Sequence, residues 1–177
     1  NGYGFNRSEA NRDLNVDDWA IEDAGDPLAS DLAAYGTVIW QTGKTFTDGA
    51  YSPSYAGEQE LAEYLDAGGC LIVSDPEYGR NRGNSNFARE YLGVGRFDQD
   101  VSKLAFNPVA SDFASFDGLG PFEVRAQSFD DVGQFNDAVT VDLEAAGPNS
   151  AQVIFEYDDG SGAAIATENE RYRTVYY

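Results

Sequence analysis

The sequence has no histidine, no methionine and a single cysteine, Cys70. One cysteine excludes an internal disulfide, and without histidine it leaves no ligand set for zinc, haem or an iron–sulfur cluster. The lack of histidine also removes the usual base of serine and cysteine nucleophiles. No apolar run approaches the roughly 20 residues of a membrane span, so no membrane insertion is expected. No cofactor is predicted.

Positive charge is also scarce. Aspartate and glutamate number 31 against 11 lysines and arginines, which gives a net charge of -20, and the lysines are Lys44 and Lys103. Such a surface repels nucleic acid and anionic membranes, so no nucleic-acid partner is expected. Because concentrated salt screens self-repulsion, the composition favours a halophilic source. The alternative is an ordinary acidic secreted protein that binds some calcium.

The length of 177 residues fits one domain. Residues 1–15 are polar, without a sustained apolar period, and are expected to form an irregular lead-in to a single domain over residues 16–177. The chain starts without an initiator methionine or a signal peptide, and its final predicted strand reaches its last residue. We therefore expect a processed or partial chain, truncated at both ends.

The first half of the chain predicts a βαβ unit. Strands are expected at 16–22, 37–40 and 70–73, and the compact apolar run at 37–40 is typical of a strand buried on both faces. A short helix is expected at 28–35. Ser54 is a plausible N-cap for a longer helix that runs to Ala67 before two glycines. Strand, helix and strand in this order imply a parallel sheet.

The second half of the chain turns towards β structure. A loop over 44–53 and another over 75–86 are predicted, followed by a helix at 87–92. Short strands are expected at 139–143, 152–157, 163–166 and 173–177, the middle two joined by a hairpin turn. The predicted fold class is α/β: a three-layer, flavodoxin-like, mainly parallel sheet with an antiparallel, β-rich C-terminal part.

Three segments, residues 31–43, 60–69 and 88–94, resemble the class-I glutamine-amidotransferase-like domains of secreted bacterial and archaeal proteins, and the likeness continues at 163–166 and 172–177. Its motifs are structural and specific for the fold rather than for a chemistry. The resemblance implies a domain that sits beside proteases or other surface modules. A working amidotransferase of this fold needs an exposed cysteine after a strand and a histidine. Cys70 instead enters its strand after two glycines, which predicts a small buried side chain and a non-catalytic variant.

The loops that leave the carboxyl ends of the two parallel strands are the candidate ligand site, because ligands bind there in open α/β sheets. Basic residues at this edge suit an anionic guest, although internal ion pairs with the neighbouring carboxylates are the more common outcome. The candidate ligand-binding residues are Thr42, Gly43, Lys44, Asp75, Glu77, Tyr78 and Arg80, with Arg82 nearby.

Acidic pairs at 130–131, 158–159 and 98/100 raise the question of calcium, but none has the ligand spacing of an EF-hand loop. Calcium binding therefore has no supporting motif, and no metal-ligating residue is predicted. Asp75 and Glu77 also form the carboxylate pair that a hydrolase of this sheet edge would use.

The leading functional prediction is a non-catalytic accessory or surface module of a secreted, halophilic protein, located outside the cell or on its surface. Its expected partners are other domains of a longer secreted chain or neighbouring surface proteins. Two alternatives stay open: a structural subunit of an extracellular assembly, and a carboxylate-dependent hydrolase that uses Asp75 and Glu77.

Overall fold

The computed structural model describes residues 16–42, 51–103, 105–116, 118–123, 137–142, 144–145 and 150–177. The predicted lead-in at 1–15 lies outside these residues, as does most of the predicted loop at 44–53. Among the described residues, five α-helices are α1 Ile21–Ala24, α2 Ala29–Leu32, α3 Tyr55–Asp66, α4 Tyr78–Arg82 and α5 Asn86–Glu90. None of these helices has the length and apolar character needed to cross a membrane.

The strands of the described residues form one nine-stranded sheet. Its main path runs β1-β2-β9-β8-β7-β4-β5, and β6 joins it by pairing with β8 and with β3. The strands are β1 Thr37–Gln41, β2 Cys70–Ser74, β3 Val94–Asp98, β4 Ala105–Pro108, β5 Phe122–Glu123, β6 Ala138–Val141, β7 Ala151–Tyr157, β8 Gly162–Glu168 and β9 Arg173–Tyr176.

The predicted three-layer, mainly parallel flavodoxin-like fold is wrong. Only β1, β2 and β9 pair in parallel, and the other strand pairs that the structure describes are antiparallel. Parallel neighbours need a crossover of a dozen or more residues, usually a helix. The chain supplies one between β1 and β2, namely α3, but β7 and β8 are joined by a short turn. The fold is a mixed, mostly antiparallel sheet with few helices.

The predicted βαβ unit itself is present. Ser54 caps α3 as expected, because its Oγ accepts a hydrogen bond of 3.0 Å from the Gly57 amide. Leu61, Tyr64 and Leu65 form the buried stripe of the helix. β2 follows at once and pairs in register with β1, from Thr37 opposite Cys70 to Gln41 opposite Ser74.

The strand predicted at 16–22 does not form. Residues 16–20 have no regular structure, and α1 begins at Ile21. Trp19 is exposed, and its indole Nε1–H donates to the Gly25 carbonyl at 2.8 Å, which closes a local turn. Ile21 is the residue of this segment that packs against the core.

Among the described residues, the helices cover the parallel part of the sheet on one face. Trp40, Leu71, Val73 and Tyr176 point into a core that also contains residues of α2, α3, α4 and α5. On the opposite face Ile39 of β1 is 62% exposed. The prediction that residues 37–40 are buried on both faces is therefore wrong, because the few helices all contribute to the same core.

A second core covers the opposite face farther along the sheet. It contains Ala164 and Ala166 of β8, Ile154 and Phe155 of β7, and Phe113 from the connection between β4 and β5. As a result β8 is buried on both faces. The strands β3, β4 and β5 and the helix α4 were not predicted.

Candidate functional site

The predicted ligand site lies where β1 and β2 end. Thr42 and Asp75 are the first residues beyond these strands, and the Thr42 amide donates to the Ser74 carbonyl at 3.2 Å, which extends the parallel ladder by one step. Parallel strands bring their carboxyl ends to one edge of a sheet, and this puts the two side chains together. Thr42 Oγ1 donates to Asp75 Oδ1 at 3.2 Å.

Asp75 is the centre of a buried polar cluster. Its side chain is 2% exposed, and it accepts hydrogen bonds from Thr42, from Ser52 Oγ and from the amide of Glu77. Its own carbonyl accepts from the Tyr78 amide, which fixes the start of α4. Burial raises the pKa of the Asp75 carboxyl, although these donors act in the opposite direction. Both carboxylate oxygens are used by the protein itself.

A second buried carboxylate, Glu58 of α3, lies next to this cluster. Its Oε1 accepts from the Tyr78 hydroxyl at 2.8 Å and from Ser85 Oγ at 3.0 Å. Ser85 also caps α5, so Glu58 ties α3 to the starts of α4 and α5. Burial raises the pKa of Glu58 and raises that of the Tyr78 phenol well above 10. We call these residues, Thr42, Ser52, Glu58, Asp75, Tyr78 and Ser85, the strand-end cluster.

Glu77 and Arg80 stand at the border of the strand-end cluster. Glu77 is buried, and its Oε2 lies 3.6 Å from Arg80 Nη1, so the pair is an ion pair longer than a hydrogen bond. The Arg80 side chain is 58% exposed. Arg82 turns back towards α3: its Nε donates to the Pro53 carbonyl at 2.8 Å, and its guanidinium lies 4.4 Å from the centre of the Tyr55 ring.

The structure thus brings four of the seven predicted ligand-binding residues together in a closed interior. Thr42, Asp75, Glu77 and Tyr78 are all buried, and Arg80 alone among the described candidates reaches solvent. Gly43 and Lys44 lie outside the described residues. Ligand binding by this set stays a prediction, and the accessible part of it is the surface around Arg80.

Asp137, which no sequence signal singled out, lies close to this edge from the β6 side. Its Oδ1 accepts from the Asp100 amide at 3.2 Å. A side chain added at Gly79 of α4 would come within 2.8 Å of Asp137 Oδ2. Burial, together with the negative charges of Asp100, Glu77 and Asp75, raises the pKa of Asp137 to about 7, although the hydrogen bond from the Asp100 amide acts in the opposite direction.

The described carboxylates form no group of three or more histidine, cysteine, aspartate or glutamate residues that fits a metal ion. Asp159 binds Lys103 at 2.7 Å and the Ser161 hydroxyl at 2.6 Å. Asp98 pairs with Arg96, and residues 130–131 lie outside the described part. Cys70 is half-buried at the beginning of β2, at the edge of the sheet opposite to Asp75.

Sequence reasoning found Asp75, Glu77 and Tyr78 because they directly follow an apolar strand. It missed Ser52, Ser85 and the structural role of Glu58. Glu58 lies in the first turn of α3, where the helix dipole favours a negative charge, and its spacing from Tyr78 and Ser85 along the chain gives no local signal of the contacts that it makes. Such long-range partners become visible only when the packing of α3 against α4 is known.

No family model matches this sequence, and no curated protein is similar to it in sequence. Two solved structures share the fold. One is described as "Cytoplasmic Protein STM3548 from Salmonella typhimurium", with a TM-score of 0.52 and 13% identity over 84% of this chain. The other, "Cytoplasmic Protein STM1381 from Salmonella typhimurium LT2", has a TM-score of 0.53 and 13% identity over 85% of this chain.

Each match covers 62% of the similar protein, so this chain spans less than two thirds of the length of either protein. The predicted extracellular or cell-surface location, with its secreted parent, is contradicted, because both similar structures are described as cytoplasmic proteins. At 13% identity the likeness shows the fold alone. This chain is therefore similar in fold to two cytoplasmic bacterial proteins.

Proposed function

We propose that this chain is a non-catalytic accessory module that is adapted to concentrated salt and works beside other domains or partner proteins. The observation that carries the proposal is the state of Asp75. Asp75 is 2% exposed, and donors from three other residues occupy both oxygens of its carboxylate. A general acid or base must instead reach the proton it transfers, directly or through one water.

The acidic composition supports the salt-adapted part of the proposal. A net charge of -20 on 177 residues destabilises a compact chain in dilute buffer through self-repulsion. Salt at about 1 M reduces the screening length to about 3 Å and removes most of this cost. The acidic surface is then compatible with a stable fold.

The carboxylate-dependent hydrolase is the second candidate, and the raised pKa of Asp75 favours it. The burial of both Asp75 and Glu77 counts against it, because a substrate must reach the acid and the base at once. The polar side chains of the strand-end cluster form hydrogen bonds with one another inside the protein. A structural role for these groups is the simpler interpretation.

The test is a turnover assay on the purified chain in molar KCl, with chromogenic esters, anilides and glycosides. Asp75→Asn keeps the size of the side chain but removes its acid–base function, and Asp18→Asn, on the exposed segment before α1, is the matched control. We expect no turnover above background from the unmodified chain or either variant. Steady turnover that Asp75→Asn abolishes, with unchanged circular dichroism, overturns the proposal and supports the hydrolase.

A further inference from the structure

The strand β1 is an edge of the sheet, because among the described residues it pairs with β2 alone. Hydrogen bonds at its two ends show which backbone groups face β2. The Gly36 carbonyl accepts from the Cys70 amide, and the Thr42 amide donates to the Ser74 carbonyl. Successive residues of a strand direct their N–H and C=O groups to alternate sides, so the intervening even-numbered residues also bond to β2. The backbone groups that face away from β2 are those of Thr37, Ile39 and Gln41.

The two other edge strands of the described sheet, β3 and β5, carry features that discourage pairing with a further strand. Natural proteins protect such edges by short length, charge, proline or a bulge. β5 has two residues and directly follows Pro121. β3 contains Arg96 and Asp98, and its register with β6 shifts between Val94 and Arg96. β1 has five residues without charge or proline and pairs with β2 in unbroken register, so its outer edge has none of these protections.

A strand added beside β1 would also continue the rows of side chains on the sheet face opposite to the helices. Ile39, Ile72 and Val175 form one such row across β1, β2 and β9. Ile39 ends this row and is 62% exposed. Residues that lie directly opposite each other on paired strands share a face and pack together. An apolar side chain of the incoming strand would therefore remove Ile39 from water, which favours association.

The charge of the chain favours a basic partner over a second copy. The Tyr35 hydroxyl donates to Asp17 Oδ2 at 2.7 Å, which holds a carboxylate against a side chain two positions before β1. Asp18 is exposed on the same segment. A second copy brings the same net charge of -20 and is repelled by the first. A strand that carries lysine or arginine at its ends is attracted instead.

We propose that the outer edge of β1 binds an extended segment of a partner polypeptide as an additional strand, with an apolar side chain beside Ile39 and basic residues at its ends. In this mode of recognition, main-chain hydrogen bonds supply affinity and alternate side chains supply specificity. The main-chain partners are the outward groups of Thr37, Ile39 and Gln41. The inference rests on the proposed function of a module that works beside other domains or partner proteins, and it identifies the surface of that contact.

The test is an NMR titration of the full chain with synthetic peptides, at the lowest KCl concentration at which circular dichroism shows a folded chain. Two peptides share an alternating threonine–valine core, one flanked by lysines and the other by glutamates. A third is the lysine-flanked peptide with proline in place of its central valine, which prevents strand pairing.

Variants at the edge separate backbone pairing from side-chain contact. Ile39→Pro removes an outward N–H, and Ile39→Thr is the matched control that keeps this N–H and a β-branched side chain. Thr37→Pro removes the first outward N–H at a strand position where proline is tolerated, so the test does not depend on the folding of one variant. Circular dichroism checks that each variant is folded.

The expected result is saturable binding of the lysine-flanked peptide, with shifted signals and slower hydrogen exchange for the amides of Thr37, Ile39 and Gln41. The glutamate-flanked peptide should bind about fivefold more weakly or worse, since each exposed charge pair contributes little alone. The proline peptide and both proline variants should weaken binding about tenfold or more through the lost hydrogen bonds. Ile39→Thr should bind the peptide as the unmodified chain does.

Three outcomes overturn the proposal. One is the absence of saturable binding by the lysine-flanked peptide, and another is binding that leaves the amides of β1 unaffected. The third is self-association of the chain without peptide that protects the same amides, which assigns the edge to a second copy. Turnover is a separate measurement: an active chain that still binds the peptide refutes only the non-catalytic proposal, and an inactive chain that does not bind it refutes only this one.

Discussion

The two strands β1 and β8 belong to the same sheet but are buried differently. In β1, inward Trp40 alternates with Ile39, which is 62% exposed. In β8, Ile165 faces the helix-covered core while Ala164 and Ala166 face the second core. The difference arises because the connection between β4 and β5 covers only one end of the second face, with Phe113 and Phe116. An apolar run therefore does not by itself decide how many faces of a strand are buried.

The largest difference between the two strands is expected when the same charge is placed at both ends of one row of the sheet. Ile39, Ile72, Val175 and Ala166 are successive neighbours across β1, β2, β9 and β8, on the same face. Ala166→Lys buries a charge and overfills a packed site, and we expect it to lower the free energy of unfolding by about 4 kcal/mol or more. Ile39→Lys should change it by less than about 0.5 kcal/mol.

Urea denaturation of both variants in molar KCl provides the measurement. Ile39→Ala serves as a control that removes apolar surface without adding charge. Equal destabilisation by the two lysines would mean that the face around Ile39 is covered as fully as the face around Ala166.

Salt should stabilise both regions together, because they belong to one acidic chain. We expect the unfolding temperature to climb steeply as KCl rises from dilute buffer to molar concentration, with a single transition, since screening removes carboxylate repulsion throughout the molecule. Scanning calorimetry measures this, and an uncharged osmolyte at equal osmolality separates screening from general exclusion effects. A flat response to KCl would mean that the acidic surface has a purpose other than salt adaptation.

A third prediction concerns the seam between the helices and the antiparallel strands, where Asp137 approaches α4. Its pKa of about 7 in the folded chain exceeds the ordinary value of 3.8. The folded state therefore binds this proton more tightly, and the resulting stability is fully present below the ordinary pKa and is lost as the pH rises through about 7. We expect Asp137→Asn to be more stable than the unmodified chain at alkaline pH and to lose this part of the pH dependence.

Denaturation curves for the two proteins across this pH range give the result, and Asp18→Asn on an exposed segment is the control. Parallel stability curves for the unmodified chain and Asp137→Asn would show that Asp137 titrates as an ordinary surface carboxyl.

The smallest expected effect lies in the most local element, α3. Ser54→Ala removes the side-chain acceptor of the Gly57 amide and should cost about 1 kcal/mol. Ser54→Asp, which preserves the cap, should restore most of the stability. Thermal unfolding monitored by circular dichroism is sufficient, and a loss that Ser54→Asp does not restore would mean that Ser54 stabilises the fold by other contacts.

These effects also indicate what the sequence makes predictable. α3, β1 and β2 were predicted because their determinants are close together in the chain: the Ser54 cap, the Leu61 and Leu65 stripe, and the glycines before Cys70. The β7–β8 hairpin was predicted from its turn for the same reason. The global topology was predicted wrongly. The prediction extended one βαβ unit to a whole sheet, whereas the other strands pair without crossover helices.

The candidate site divides in the same way. The meeting of Thr42 and Asp75 follows from the rule that parallel strands end at one edge of a sheet. The burial of the site does not follow from this rule, because Ser52 and Glu58 join the strand-end cluster through the packing of α3 and of the segment before it. The contact of the Phe97 ring with the backbone at Gly79 and Gly83 also joins residues that are distant in the chain, and the sequence gives no local signal for it.

The central claim is that the strand-end carboxylate holds the fold together rather than performing chemistry, and the unfolding free energy of Asp75→Ala tests it most directly. This variant leaves the Ser52 and Thr42 hydroxyls and the Glu77 amide without their acceptor in a buried place, so we predict a loss of about 1–3 kcal/mol. Asp75→Asn, which keeps an acceptor oxygen, should lose less. Unchanged or increased stability of Asp75→Ala would contradict the claim, because substitutions that stabilise a protein often fall on residues kept for function.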